Sequence, residues 1–140
     1  MKRIRLLVLL GMVAIALPVG LLSGMAKATG TGGTTNTNSV TINSRADFEF
    51  IGTQLDVGLN VRCYGGSGAV DVRAEQFPPE TPVGADGTGA AAVVCDGKTR
   101  SVGVTVEGAI YDEGKAKATA TLVAPSGTTT TVKWINVVVV

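Results

Sequence analysis

The segment from Gln54 to Cys63 constrains the fold more than any other stretch of this chain. Its odd-numbered residues are all apolar, and its even-numbered residues are polar or glycine. Such strict alternation over ten residues is typical of a strand with one buried face, because successive side chains point to opposite sides of a strand. The apolar face ends in Cys63, so the residues that build the core also carry a candidate cross-link.

The first 28 residues have the pattern of an export signal. A basic start is followed by an apolar run from Leu6 to Leu22, and Ala26-Lys27-Ala28 provides the small residues that signal peptidase requires. The alternative is an uncleaved membrane anchor. The 17-residue run is shorter than the ~20 residues that cross a bilayer, and Pro18 interrupts it. We therefore expect residues 1–28 to be a cleaved signal peptide and the protein to be secreted and extracellular.

Cleavage changes the charge of the chain. The full sequence has 12 basic and 11 acidic residues. Four of the basic residues and none of the acidic ones lie in residues 1–28, which leaves 8 basic against 11 acidic and a net charge of −3. A mildly acidic protein does not attract nucleic acid or anionic lipid. We expect neither as a partner, and no membrane contact after cleavage.

The chain has two cysteines, Cys63 and Cys95, both in the exported part. Outside the cytosol such a pair favours a disulfide. Two free thiols or two metal ligands are the alternatives. The chain has no histidine and no Cys-x-x-Cys pair, so a zinc site would lack ligands. We expect a disulfide, no metal and no cofactor.

The remaining chain divides into a tether and one domain. Residues 29–44 are rich in Thr, Gly and Asn and predict a flexible tether. Residues 45–140 contain seven alternating segments with turn residues between them, and Asp96-Gly97 predicts a two-residue hairpin. This pattern predicts an all-β domain, an immunoglobulin-like antiparallel β-sandwich of about seven strands. The only tryptophan, Trp134, is predicted to fill the core.

Few residues suggest a site. Without histidine, no histidine-based triad is possible, and the neighbouring carboxylates Asp112 and Glu113 are the only candidates for a hydrolase. Residues 77–89, with three prolines and three glycines, predict a long irregular loop. Tyr64, Phe77 and Tyr111 are the candidate ligand-contacting residues, and a cleft near the 77–89 loop would suit a small-molecule carrier.

From Cys63 onward the chain also resembles a family of proteins. The matching features are Cys63 at the end of a strand, Gln76, Gly87, Gly89, the run Val93-Val94-Cys95-Asp96-Gly97, and Gly114-Lys115-Ala116. These residues resemble small secreted actinobacterial proteins with one immunoglobulin-like domain of unknown function. The resemblance implies that fold, a disulfide and export, and it brings no catalytic residue.

The sequence therefore leads to three hypotheses. The first is a secreted, non-enzymatic binding or structural module whose partner is a cell-surface or extracellular protein or a small molecule. The second is a small-molecule carrier, and the third is a secreted hydrolase that uses carboxylates. We expect the first, since the sequence contains no catalytic constellation.

Overall fold

The described part of the chain forms a β-domain of seven strands. The computed structural model describes residues 36–49, 53–81 and 83–140. The strands are β1 (Ser39–Phe48), β2 (Gln54–Arg62), β3 (Tyr64–Gln76), β4 (Ala85–Asp96), β5 (Arg100–Glu107), β6 (Gly114–Ala124) and β7 (Gly127–Val139). Seven strands are the number that the alternating segments predict. The predicted signal peptide, residues 1–28, lies outside the described residues, as do residues 29–35 of the predicted tether.

The strands form one closed sheet. Their order around the barrel is β1-β2-β5-β4-β3-β6-β7, and β7 returns to β1. All neighbours are antiparallel except β1 and β7, which run parallel. The all-β class is as predicted. The predicted immunoglobulin-like antiparallel sandwich is wrong, because the sheet closes into a seven-stranded barrel.

Two glycines allow β4 to close the barrel against β5. The bridge between these strands joins Thr88 to Glu107. A Cβ atom at Gly89 would lie 2.1 Å from the Thr105 carbonyl oxygen, and one at Gly87 would lie 2.7 Å from the Glu107 carbonyl oxygen. Only glycine permits such a close approach of two backbones. The alternating pattern cannot predict this closure, since a sandwich and a barrel both bury every second side chain.

Strand β1 completes the ring because it pairs on both sides. It pairs with β2 along its length, with an irregularity between Ile42 and Ala46, and its second half also pairs with β7. The Lys133 ammonium donates a hydrogen bond to the Ile42 carbonyl oxygen at this irregularity (2.8 Å). The strand begins at Ser39, six residues before the predicted domain boundary at residue 45.

The core follows the predicted alternation. The odd-numbered residues Leu55 to Cys63 of β2 are buried, and alternate residues of β6 belong to the same core. The buried residues of β6 are Ala116, Ala118, Ala120 and Leu122. The predicted disulfide between Cys63 and Cys95 is confirmed, with Cα atoms 4.4 Å apart. It joins the end of β2 to the end of β4.

Three local predictions are wrong. Trp134 is 56% exposed on the outside of β7 and does not fill the core. The predicted 77–89 loop ends at residue 84, because residues 85–89 belong to β4. Asp96-Gly97 does not make a two-residue hairpin. Strands β4 and β5 separate after the Thr88–Glu107 bridge, and the Gly97 amide donates to the Cys63 carbonyl oxygen instead (2.8 Å).

Candidate functional site

The outward-pointing residues of β4, β3, β6 and β7 form a continuous surface, which we call the outer face. The strand register aligns them in four rows. From β4 to β7 these rows are Asp86–Glu75–Lys117–Trp134, Thr88–Arg73–Thr119–Val132, Ala90–Asp71–Thr121–Thr130 and Ala92–Ala69–Val123–Thr128. Charged side chains occupy the first three rows, and the fourth row has none. The outer face is therefore polarised between a charged end and an uncharged end.

A groove of about 550 Å³ lies in the middle of the outer face. Its wall is built from the strands β4, β3 and β6. The lining residues are Asp71, Val72, Arg73, Thr88, Gly89, Ala90, Thr119 and Thr121. Three threonine hydroxyls and one carboxylate thus lie along the groove, and each of these groups can accept a hydrogen bond.

Arg73 in the groove is held by carboxylates. Its Nε donates to Asp86 Oδ1 (2.8 Å) and its Nη2 donates to Asp86 Oδ2 (2.6 Å), and Glu75 Oε1 lies 3.4 Å from Nη2. The hydrogen bond with Arg73 holds the pKa of Asp86 below its usual range, and the bond with Asp86 raises the pKa of Arg73. The pair is therefore ionised at neutral pH, with the guanidinium already satisfied by two acids.

An exposed aromatic pair lies beside the groove. Trp134 is 56% exposed and Phe77 is 45% exposed, and their ring centroids are 6.3 Å apart with the planes inclined at 57°. Val132, which pairs with Thr119 of the groove, is the preceding outward residue on β7. Trp134 is thus the diagonal neighbour of Thr119, one outward position along β7 from Val132.

The structure separates the three predicted ligand-contacting residues. Phe77 follows the last residue of β3 and lies at the outer face. Tyr64 is the first residue of β3, at the opposite end of the strand, and the Arg62 guanidinium lies over its ring (5.4 Å to the ring centroid). Tyr111 is fully buried, and its hydroxyl donates to the Ala74 carbonyl oxygen (3.0 Å). Burial raises the pKa of Tyr111 to about 12, with a smaller contribution from the charge of Asp86.

The predicted carboxylate pair lies in the loop between β5 and β6. The backbone of Asp112 is clamped by the buried side chain of Gln76, which donates to its carbonyl oxygen (2.7 Å) and accepts from its amide (2.9 Å). The Glu113 carboxylate accepts a hydrogen bond from the Val139 amide (3.3 Å). These contacts hold the loop against β3 and β7. A hydrolase that uses Asp112 and Glu113 stays a prediction.

The region of the predicted carrier cleft is a separate depression. Residues 75–78 and 83–86 line a volume of about 330 Å³ beside the shortened loop. In the part of the chain that the structure describes, no group of three or more His, Cys, Asp or Glu residues is placed to hold a metal ion. Over the same residues, no helix is long and apolar enough to cross a membrane.

The groove and Trp134 were missed by sequence reasoning. Both parities of residues 128–140 contain apolar side chains, so the alternation that identifies an outer face is hidden in β7. The four threonines of residues 128–131 also occupy both parities, so β7 offered no pattern that would place Trp134 outside. A scan of protein-family models and a search of curated proteins gave no match to this chain.

Proposed function

We propose that this protein is a secreted, non-enzymatic module that binds a neutral glycan on its outer face. The observation that carries the proposal is the exposed pair of Trp134 and Phe77 beside a groove lined with hydroxyl groups. Export is supported by the Cys63–Cys95 disulfide, since disulfides persist mainly outside the cytosol.

The chemistry of a sugar ring suits these two features. A pyranose has an apolar face of C–H groups and a rim of hydroxyls. An exposed indole offers a broad apolar surface for the ring face. The hydroxyls of Thr88, Thr119 and Thr121 and the carboxylate of Asp71 offer donors and acceptors for the rim. An aromatic anchor with a few polar groups is the usual composition of a small-ligand site.

The charge of the groove favours a neutral ligand. Arg73 is already paired with Asp86 and lies close to Glu75, so an anionic ligand would have to displace a carboxylate to reach it. Asp71 adds a negative charge at the wall of the groove. A sulfated or phosphorylated ligand would be repelled there, whereas sugar hydroxyls can donate to the same carboxylate.

The single tryptophan makes a direct test possible. Since Trp134 is the only tryptophan, its fluorescence reports on this site alone. We expect the emission to shift and saturate when the protein is titrated with at least one of four neutral probes, namely cello-, chito-, malto- and manno-oligosaccharides. Calorimetry on Trp134→Ala should then show loss of binding by about tenfold or more, the effect expected for an aromatic hot spot.

A matched control separates stacking from general damage. Val123→Ala changes an exposed apolar residue in the uncharged row of the same face, and it should leave affinity unchanged. If none of the four probes changes the emission of Trp134, the glycan proposal is wrong. Native mass spectrometry of protein from its own culture medium would then test the carrier hypothesis, because a bound small molecule adds a mass that denaturation removes.

A further inference from the structure

Strand β4 has one fully paired edge and one that is largely unpaired. Its paired edge meets β3 from one end to the other, between Ala85 and Asp96. Its second edge meets β5 at a single bridge, Thr88 to Glu107. Beyond that bridge, within the described residues, no strand pairs with residues 90–95 on this side. We call these six residues the β4 edge.

The β4 edge is uncharged and exposed. Its sequence is AAAVVC, and Val94 is 54% exposed while Ala90 and Ala92 are also exposed. Proteins usually protect an edge strand with a lysine, a proline or a bulge, because unpaired amides and carbonyls invite another strand. The β4 edge has none of these devices. A partner strand would pair its free backbone amides and carbonyls and would cover its exposed apolar side chains.

We propose that the β4 edge is an interface between two copies of this chain. The two edges pair antiparallel about a twofold axis at Ala92, so that the sheets continue from one copy into the other. This inference rests on the edge alone and is independent of glycan binding.

The sequence of the edge is complementary to itself in size. With Ala92 opposite its own equivalent, Ala91 lies opposite Val93 of the second copy, and Ala90 lies opposite Val94 of the second copy. Each valine therefore meets an alanine, and no two bulky side chains compete for one position. Contacts between directly opposed side chains are the unit of stabilisation between paired strands.

Charge favours the same arrangement. In this register residues 90–94 of the two copies pair, and Asp96 lies opposite Thr88 of the second copy, outside these five residues. Parallel pairing in register would instead place Asp96 against its own equivalent, and directly opposed like charges are destabilising. A twofold pairing also stops at two chains, because each copy contributes its β4 edge to the same interface.

The contact is short, so the dimer should be weak and concentration-dependent. In sedimentation velocity, we expect the weight-average mass to rise from one chain to two between about 5 μM and 500 μM, since interfaces below the usual size bind weakly. Ala92→Lys places two positive charges together at the twofold axis and should keep the protein monomeric throughout. Thr130→Lys adds the same charge on β7, away from the edge, and should behave like the wild type.

Cross-linking tests the register. Directly opposed residues of antiparallel strands have Cα atoms about 4.5–5.5 Å apart, within reach of a disulfide. Oxidised Ala92→Cys should therefore form a covalent dimer, whereas Val94→Cys faces an alanine and should not. A monomer at every concentration, growth beyond two chains, or an equal response to Ala92→Lys and Thr130→Lys would each overturn the proposal.

Discussion

Replacement of Gly89 by alanine should cost this protein about 2–3 kcal/mol of unfolding free energy, as expected for overpacking against atoms that cannot move aside. The added Cβ would lie 2.1 Å from the Thr105 carbonyl oxygen and 2.8 Å from the Thr105 carbonyl carbon. Ordinary contact begins at 3.4 Å, so the two backbones must separate by more than 1 Å. Both atoms belong to β5, which is fixed in its position by pairing with β2. The strain therefore falls on the Thr88–Glu107 bridge that closes the barrel.

Gly103→Ala is the matched control. Gly103 lies on β5, and a Cβ atom there would meet nothing within 4 Å. Both substitutions reduce the freedom of the unfolded chain equally, so their difference isolates the clash. In urea, with a slope of about 2 kcal/mol/M, Gly89→Ala should unfold about 1–1.5 M earlier than Gly103→Ala. Midpoints that agree within about 0.25 M would refute the role of Gly89 in closure.

Three further perturbations test other contacts. Gln76→Met keeps the length of the side chain but removes both hydrogen bonds to the Asp112 backbone, so urea denaturation should show a loss of about 2 kcal/mol; an unchanged midpoint would contradict the clamp. In a Tyr64→Phe protein, tyrosinate absorbance should report a Tyr111 pKa of about 12 when folded and about 10 in denaturant. Because the pKa of Tyr111 is higher in the folded protein, burial of its neutral hydroxyl contributes stability that is complete below pH 10 and is lost between about pH 10 and 12. A titration midpoint near 10 in the folded protein would exclude this contribution. Reduction of the disulfide, whose cysteines are 32 residues apart, should cost about 3–4 kcal/mol, and a loss under about 1 kcal/mol would show that the loop model fails here.

Local periodicity was enough to predict the strands and the buried face of each. The alternation of Leu55 to Cys63 identified the core side of β2, and the same reasoning held for the alanines of β6. The disulfide followed from the cysteine count and from the expectation of export. These predictions succeed because burial of alternate side chains is a property of one strand and its two neighbours.

The closure of the barrel and the composition of the outer face depend on contacts between residues that are distant in sequence. The barrel closes at Gly87 and Gly89 because the backbone of β5 lies against them. A glycine in the sequence does not show which strand will pack against it. The exposed position of Trp134 was hidden because both parities of β7 contain apolar residues. Tyr111 lies in a segment whose sequence is typical of an exposed loop, yet the loop folds inward and buries the tyrosine side chain. Sequence therefore predicted the elements, and tertiary contacts decided the site.

The parallel pairing of β1 and β7 has a mechanical consequence. Residues 45–48 of β1 pair with residues 136–139 of β7, and the Val140 amide adds a bond to the Phe48 carbonyl oxygen (3.1 Å). A force that pulls the two ends of this domain apart draws the parallel strands in opposite directions along their axes. The bonds between them are then loaded in shear and resist together, whereas bonds loaded at one end of a hairpin would open one after another. The disulfide also keeps the residues between its cysteines from extending, which shortens the length that the domain gains when it unfolds under tension.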